Sequence, residues 1–306
     1  MRIYLSSLTT AVLLHLYHLF PDRMINVLRS FAMMSSDEHR FYDGSIPNIN
    51  SLMFDSGVFT KINAKSGNYS HITLQNYIRY LQLHKKHYEF YSNYDLDFSA
   101  QGFQQNLQVL KQMEAAGLNP FPVVHDYFMR EIKYYLDNNY NFLALGGIRV
   151  PGKNGQQRTE RHIKHAMSMI PTEKVKSHLF GASSFKVVSK YPFFSCDSSS
   201  WAQNNRYGFV LYWNWDLAEL EDKTEKYFFV DKNSDYFRTD RKYWEDYGGV
   251  KGRENREEFI NNLGFSYEDL MGVRRSHYRQ LLNAIYYLTI EDVITKKWRN
   301  MQKQAA

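Results

Sequence analysis

The chain has 306 residues, 43% of them hydrophobic, 23% charged and 16% aromatic, and carries a formal net charge of +6. These values exclude a disordered or low-complexity polymer and suit an ordered globular protein with a sizeable core; the basic balance (pI about 9.1) permits a polyanionic partner without requiring one. The single cysteine, Cys196, excludes an internal disulfide framework and a multi-cysteine zinc site, and fits a reducing cytoplasm.

In chain order, Thr10 to Phe20 is apolar but short, is interrupted by His15 and His18, and is stopped by Pro21-Asp22-Arg23. It reads as a buried helix, neither a leader nor a membrane span. Short β-rich runs alternate with helical periodicity along most of the chain. Strands are predicted at Ile3–Leu5, Leu52–Phe54, Glu89–Tyr94, Phe121–Val124, Phe142–Leu145, His178–Phe180, Phe193–Cys196 and Phe209–Trp213. Helices are predicted at Ile72–His87, Ala100–Ala116 (closed by Gly117, with Pro120 beyond), Phe128–Asn138, Thr159–Met169, Phe185–Lys190 and Trp201–Asn205.

Eight strands interleaved with helices imply parallel pairing. The glycine fingerprint of a dinucleotide fold is missing after the first strand, where Ser6-Ser7-Leu8-Thr9-Thr10 stands. The count therefore favours a closed (β/α)8 TIM barrel over an open doubly wound sheet. The barrel is expected over residues 1–215. Residues 216–306 are expected to form a charged, aromatic and mostly helical extension packed on it, with helices at Arg256–Asn262 and Tyr267–Lys297.

In a parallel barrel, chemistry collects at the C-terminal ends of the strands. The expected ends are polar: Asp55-Ser56-Gly57, Asn93-Tyr94-Asp95, His125-Asp126, Gly146-Gly147, Gly181-Ala182-Ser183-Ser184 and Asp197-Ser198-Ser199-Ser200. Taken singly, such residues are most often turn formers and caps. Three carboxylates flush with buried strands must be solvated, paired or used, and as a set they point to a site. No HExxH, clustered His/Cys spacing, Walker loop or GxSxG elbow is present, and His162 and His165 on one helix face lack a carboxylate partner. No metal or cofactor is expected. Carboxylates without such groups suit glycosyl transfer, one attacking an anomeric carbon while another moves a proton.

Several of these segments resemble the tRNA-guanine transglycosylase superfamily. Phe54-Asp55-Ser56-Gly57-Val58-Phe59 resembles its DSG-x-F segment, Leu143 to Ile148 its Gly-Gly strand end, His178-Leu179-Phe180-Gly181 the strand before the nucleophile strand, and Ser195-Cys196-Asp197-Ser198 the strand end bearing the nucleophile. The order and spacing agree over roughly residues 1–215. The resemblance implies Asp197 as nucleophile, Asp55 as acid/base, and Asp95 as the reader of the purine's Watson–Crick edge, with Asp97 a competing candidate. Ser56, Gly57, His125, Gly146, Gly147 and Gly181 are expected around the base. Tyr94 or Tyr127 could stack on it, although packing is the commoner fate of a tyrosine among 24.

The chain departs from the tRNA enzymes in lacking their cysteine-rich zinc site, in being shorter, and in placing His125 where they carry a glutamine. These departures are similar to the compact, often phage-encoded branch that inserts 7-deazaguanines, such as 7-cyano-7-deazaguanine, into DNA. The implied partners are DNA and a free 7-deazaguanine base. Arg149, Lys153, Arg158 and Arg161, on the loop and helix after the fifth predicted strand, would hold the phosphate backbone; Lys251–Arg256, Arg274-Arg275 and Lys296–Arg299 are further basic segments. No membrane partner is expected, and a cytoplasmic location is. Rival readings are a tRNA enzyme of the same chemistry, a catalytically silent nucleic-acid-binding barrel, and a small-molecule glycosidase or phosphate-binding barrel enzyme.

Overall fold

The computed structural model describes residues 1–64, 67–99, 101–128, 130–147, 155–182, 184–198, 208–213, 225–230 and 242–305. Two compact units emerge. The first comprises residues 1–7, 25–45 and 49–198, and the second residues 8–24, 46–48 and 199–306.

The first unit is an eight-stranded parallel sheet: β1 (Arg2–Ser6), β2 (Ile25–Ser30), β3 (Ile49–Asp55), β4 (Phe90–Tyr91), β5 (Val123–Val124), β6 (Phe142–Leu145), β7 (Lys176–Leu179) and β8 (Ser195–Ser198). Their spatial order is β4-β3-β2-β1-β8-β7-β6-β5. The two end strands also meet. Ser92, just past β4, bridges Phe121, just before β5, in parallel; Asn93 N–H donates to the Phe121 carbonyl at 2.9 Å and Phe121 N–H to the Tyr91 carbonyl at 3.0 Å. That seam closes the sheet into a (β/α)8 TIM barrel. Helices Leu74–His84, Phe103–Ala115, Glu131–Asp137, Gly155–Met169 and Phe185–Val188 carry the crossovers. Phe103–Ala115 buries Phe103, Val109, Leu110 and Met113 at helical spacing and ends at Gly117 with φ +76°, a left-handed position that glycine adopts without strain.

Two expectations about the strands fail in detail. Ile25–Ser30 is a strand missing from the expected set, because Asn26 and Arg29, polar yet buried, break up its apolar run. Arg29 is satisfied by a two-pronged ion pair with Glu38, at 3.0 and 2.7 Å, and lies over the Phe41 ring. Phe209–Trp213, expected as the eighth barrel strand, belongs instead to the second unit, as β9. It pairs antiparallel with β10 (Glu225–Phe229). The barrel still has eight strands, but Asp55 ends the third and Asp197 is the penultimate residue of the eighth.

Side chains alternate across a strand, and the parallel register carries that alternation around the ring. Tyr4 is opposite Asp197, Ser6 opposite Leu28, Leu28 opposite Met53, and Ser30 opposite Asp55. Tyr4, Leu28, Met53, Phe121, Val123, Phe142 and Ala144 form one buried cluster with Phe90, Phe180 and Phe194 against it. The barrel is thus filled with side chains. Two residues farther along most of these strands, the same inward parity delivers Ser6, Ser30, Asp55, Ser92, His125 and Gly146.

The second unit contains helix Thr10–Leu19, capped by the Thr9 hydroxyl, which accepts from Val12 N–H. It packs on the long helix Arg275–Ala305, with His15 Nδ1 2.9 Å from His277 Nε2 and Arg23 bonded to Glu291 and Asp292. Helix Gly249–Asn262 and the β9–β10 pair complete it. The expected helix Tyr267–Lys297 is divided: a short turn at Glu268–Leu270 precedes the helix starting at Arg275. The expected helix Trp201–Asn205 lies outside the described residues. Among those described, no helix is long and apolar enough to cross a membrane.

Candidate active site at the barrel mouth

The three acidic groups of this site sit at, or a few residues past, the carboxyl end of a barrel strand: Asp55 on β3, Asp95 after β4 and Asp197 on β8. Asp55, the last residue of β3, keeps partial exposure. Its Oδ2 accepts from the Ser30 hydroxyl at 2.9 Å and from Gly57 N–H at 3.0 Å. Gly57 has φ +75°, and a Cβ there would lie 2.5 Å from the Ala32 amide nitrogen, so both the turn and its close packing require glycine. Burial lifts the Asp55 carboxyl to about 6; the Ser30 and Gly57 hydrogen bonds oppose the shift, and the charges of Asp197 and Asp95 add to it.

Asp197, on β8, is 7% exposed. Gly181 N–H, from the turn after β7, donates to its Oδ1 at 3.0 Å. Gly181 has φ +66°, which aims its amide back at the carboxylate. His178 Nε2 stands 3.4 Å from the same oxygen, while its Nδ1 is 2.8 Å from the Ser195 hydroxyl. His178 and Ser195 are fully buried, and the imidazole edge contacts Tyr4 and Phe180. The carboxylate is thereby held by a backbone donor, with the packed His178 ring near it but not hydrogen-bonded to it through Nε2.

Asp95, past the end of β4 beside β3, forms a third acidic position, 3% exposed. Its Oδ1 accepts from Asn93 Nδ2 at 2.6 Å and its Oδ2 is 3.0 Å from His125 Nε2. Burial lowers the His125 pKa, but hydrogen bonding to Asp95 and the charges of Asp95, Glu131 and Asp97 outweigh it, so the net shift is upward. Glu131 accepts from His125 N–H at 2.7 Å, which anchors the loop after β5. Asp97 contributes differently: its carboxylate caps Ser99 N–H at 2.8 Å in the following turn. Of the two competing aspartates, Asp95 is the one paired with His125.

The remaining expected residues divide. Ser56 is buried, its N–H donating to the Ser92 hydroxyl at 3.1 Å. Gly146 N–H donates to the Val124 carbonyl at 3.0 Å, and its carbonyl accepts the Tyr127 hydroxyl. A Cβ on Gly146 would lie 2.7 Å from Val123 Cγ1 and 3.0 Å from His125 Cε1. Gly147 is exposed at φ +60°. Tyr94 and Tyr127 do not serve as open stacking rings: both are buried, with hydroxyls donated to the Ile72 and Gly146 carbonyls. The ring beside the acidic centre is Phe98, edge-on to His125 at 5.2 Å and to the exposed Phe59 at 5.6 Å. Arg158 and Arg161 lie exposed on helix Gly155–Met169, Arg161 over the Phe128 ring; Arg149 and Lys153 lie outside the described residues.

Sequence reasoning missed Ser6, Ser30, Ser195 and His178. Stepping back two residues from Asp197 reaches Ser195, and the register places His178 opposite it. Ser30 needed β2, which was not recognised. Ser6 is buried at the end of β1 with no partner for its hydroxyl, and Ser7 beyond it has φ +61°. Among the described residues no group of three or more His, Cys, Asp or Glu is arranged to hold a metal ion. No family model matches the chain, and no curated protein matches it.

Proposed function

We propose that the chain is a guanine transglycosylase that exchanges guanine in DNA for a 7-deazaguanine base. One observation carries the reading: two aspartates at one barrel mouth have different neighbours, Asp55 bonded by the Ser30 hydroxyl and Gly57 N–H and pushed up to about 6 by burial, Asp197 bonded by Gly181 N–H with the His178 ring 3.4 Å away. Carboxyls placed in such different surroundings are suited to a division into acid/base and nucleophile. The resemblance of the DSG, Gly-Gly and strand-eight segments supplies the substrate class, and the single cysteine among these 306 residues and His125 in place of the tRNA enzymes' glutamine favour DNA as acceptor.

In the first step an Asp197 oxygen attacks C1′ of the target nucleotide. The C1′–N9 bond breaks, its electrons leave with guanine, and protonated Asp55 gives its proton to the departing base. In the second step Asp55 takes the N9 proton of the incoming 7-deazaguanine, N9 attacks C1′, and the bond to Asp197 breaks. Two inversions give net retention. Asp95, held by Asn93 and His125, accepts from the purine N1–H and exocyclic amine. Phe98 offers a ring face beside it, and the exposed backbone of Gly147 allows close approach. In a duplex the guanine must first leave the stack, at a cost of a few kcal/mol. Arg158 and Arg161 supply positive charge for the phosphate backbone.

The test is incubation with radiolabelled guanine and either duplex DNA or unmodified tRNA. Label entering DNA alone supports the reading. Label entering tRNA alone moves the acceptor to RNA, and salt-dependent DNA binding with no exchange replaces the enzyme with a binding barrel.

A further inference from the structure

The second unit holds a cavity of about 380 Å³ that base exchange does not use. Its size is within the range of small-molecule pockets. Tyr212 and Phe228 are its buried aromatic floor and half-buried Tyr247 its wall, with Lys242 Nζ 5.3 Å from the Tyr247 ring centre.

The opposite side is the first turn of helix Gly249–Asn262. Gly248 caps it at φ +76° and Gly249 follows at φ +63°; no side chain caps the helix. Gly249 N–H reaches the Asp246 carbonyl and Gly252 N–H the Gly248 carbonyl. Between them, Val250 and Lys251 N–H belong to the donors that a helix start leaves without intrahelical partners, at the positive end of its dipole. The exposed Lys251 also lines the cavity.

A second, independent observation concerns Arg256. It lines the cavity and is 4% exposed. Its Nη2 donates to the Trp244 carbonyl, its plane lies 4.9 Å from the Phe228 ring centre and 5.5 Å from that of Trp244, and its Nε has no partner. Nη1 passes beneath the helix start, 3.3 Å from where a Cβ on Gly252 would be. Among the described residues no carboxylate pairs with it, and none of the cavity's lining residues is acidic. A guanidinium removed from water without a counter-ion is costly, and its planar fork matches a phosphate.

We propose that this cavity binds a phosphate monoester carried on a planar ring, a mononucleotide-class ligand. The phosphate sits against Arg256, Lys251 and the first-turn N–H groups, and the ring stacks on Tyr247.

The full-length protein is titrated with adenosine 5′-monophosphate, inorganic phosphate and adenosine, followed by calorimetry and by tryptophan fluorescence, since Trp244 touches the Arg256 guanidinium. The proposal expects saturable binding of the monophosphate at least about tenfold tighter than inorganic phosphate, and none of adenosine. Lys251→Ala, a substitution at an exposed position, weakens it about tenfold with an unchanged melting temperature; Arg256→Met abolishes it. No saturable binding, an affinity indifferent to Lys251→Ala, or phosphate binding as tightly as the nucleotide would each overturn the proposal and leave Arg256 a packing residue stacked on Phe228 and Trp244.

Discussion

Asp55 and Asp197 bring the same side chain to one mouth, and what separates them is their neighbours. The raised Asp55 pKa has two measurable consequences. As the acid of the first step it must be protonated, so the single-turnover rate of guanine release should fall about tenfold per pH unit above about pH 6. The same group is a source of instability. Between its ordinary value of 3.8 and about 6 the folded chain holds a proton there that the unfolded chain has released. The stabilisation from that proton is complete below 3.8 and is lost as pH rises through 6, by up to about 3 kcal/mol. Asp55→Asn, which retains an acceptor for Ser30 and Gly57, should therefore abolish exchange yet raise the melting temperature at pH 8 and leave it nearly unchanged at pH 4. Equal melting curves at both pH values would contradict the assigned burial. The three aspartates were legible in the sequence because each directly follows an apolar run. His178 and Ser195 were not, since a histidine and a serine inside strands look like ordinary polar interruptions until the register sets them behind Asp197.

At the scale of elements, the turn after β3 joins fold to chemistry. Gly57 positions its own N–H on Asp55 and packs on Ala32, so Gly57→Ala combines left-handed strain with a backbone clash. A loss of more than about 2 kcal/mol in urea unfolding is expected, together with loss of activity; a variant within about 0.5 kcal/mol of the parent would refute that packing. β2 escaped recognition for a physical reason. Arg29 makes its run read as amphipathic surface, and only the Glu38 carboxylate nine residues on, brought over it by the fold, makes burial tolerable. β9 misled in the opposite direction: Phe209–Trp213 is apolar enough for a barrel strand, and its antiparallel partner Glu225–Phe229 falls in a charged stretch without a strand pattern.

Across the whole molecule, the barrel depends on an economical seam. β2 and β3 pair from Ile25 to Ser30, whereas among the described residues β4 and β5 meet only through the Asn93–Phe121 and Phe121–Tyr91 backbone bonds. Sparse pairing opens first. Hydrogen exchange should find the Asn93 and Phe121 amides at least about tenfold less protected than those within β1 and β2, and uniform protection would contradict the closure described. Eight alternating strands made the barrel class legible, although one of the eight was misassigned, Phe209–Trp213 standing in for Ile25–Ser30. The existence of a second unit that takes in residues 8–24 as well as the C-terminal third was not legible, because it rests on contacts such as His15–His277 between distant segments.

The central claim is a covalent bond between Asp197 and a nucleotide sugar. Single-turnover mixtures with duplex DNA, quenched in denaturant, digested and examined by mass spectrometry, should show the peptide containing Asp197 carrying a nucleotide minus its base, and Asp197→Asn should lose that species. An adduct that survives Asp197→Asn, or exchange that proceeds with no adduct on this peptide, would contradict the account.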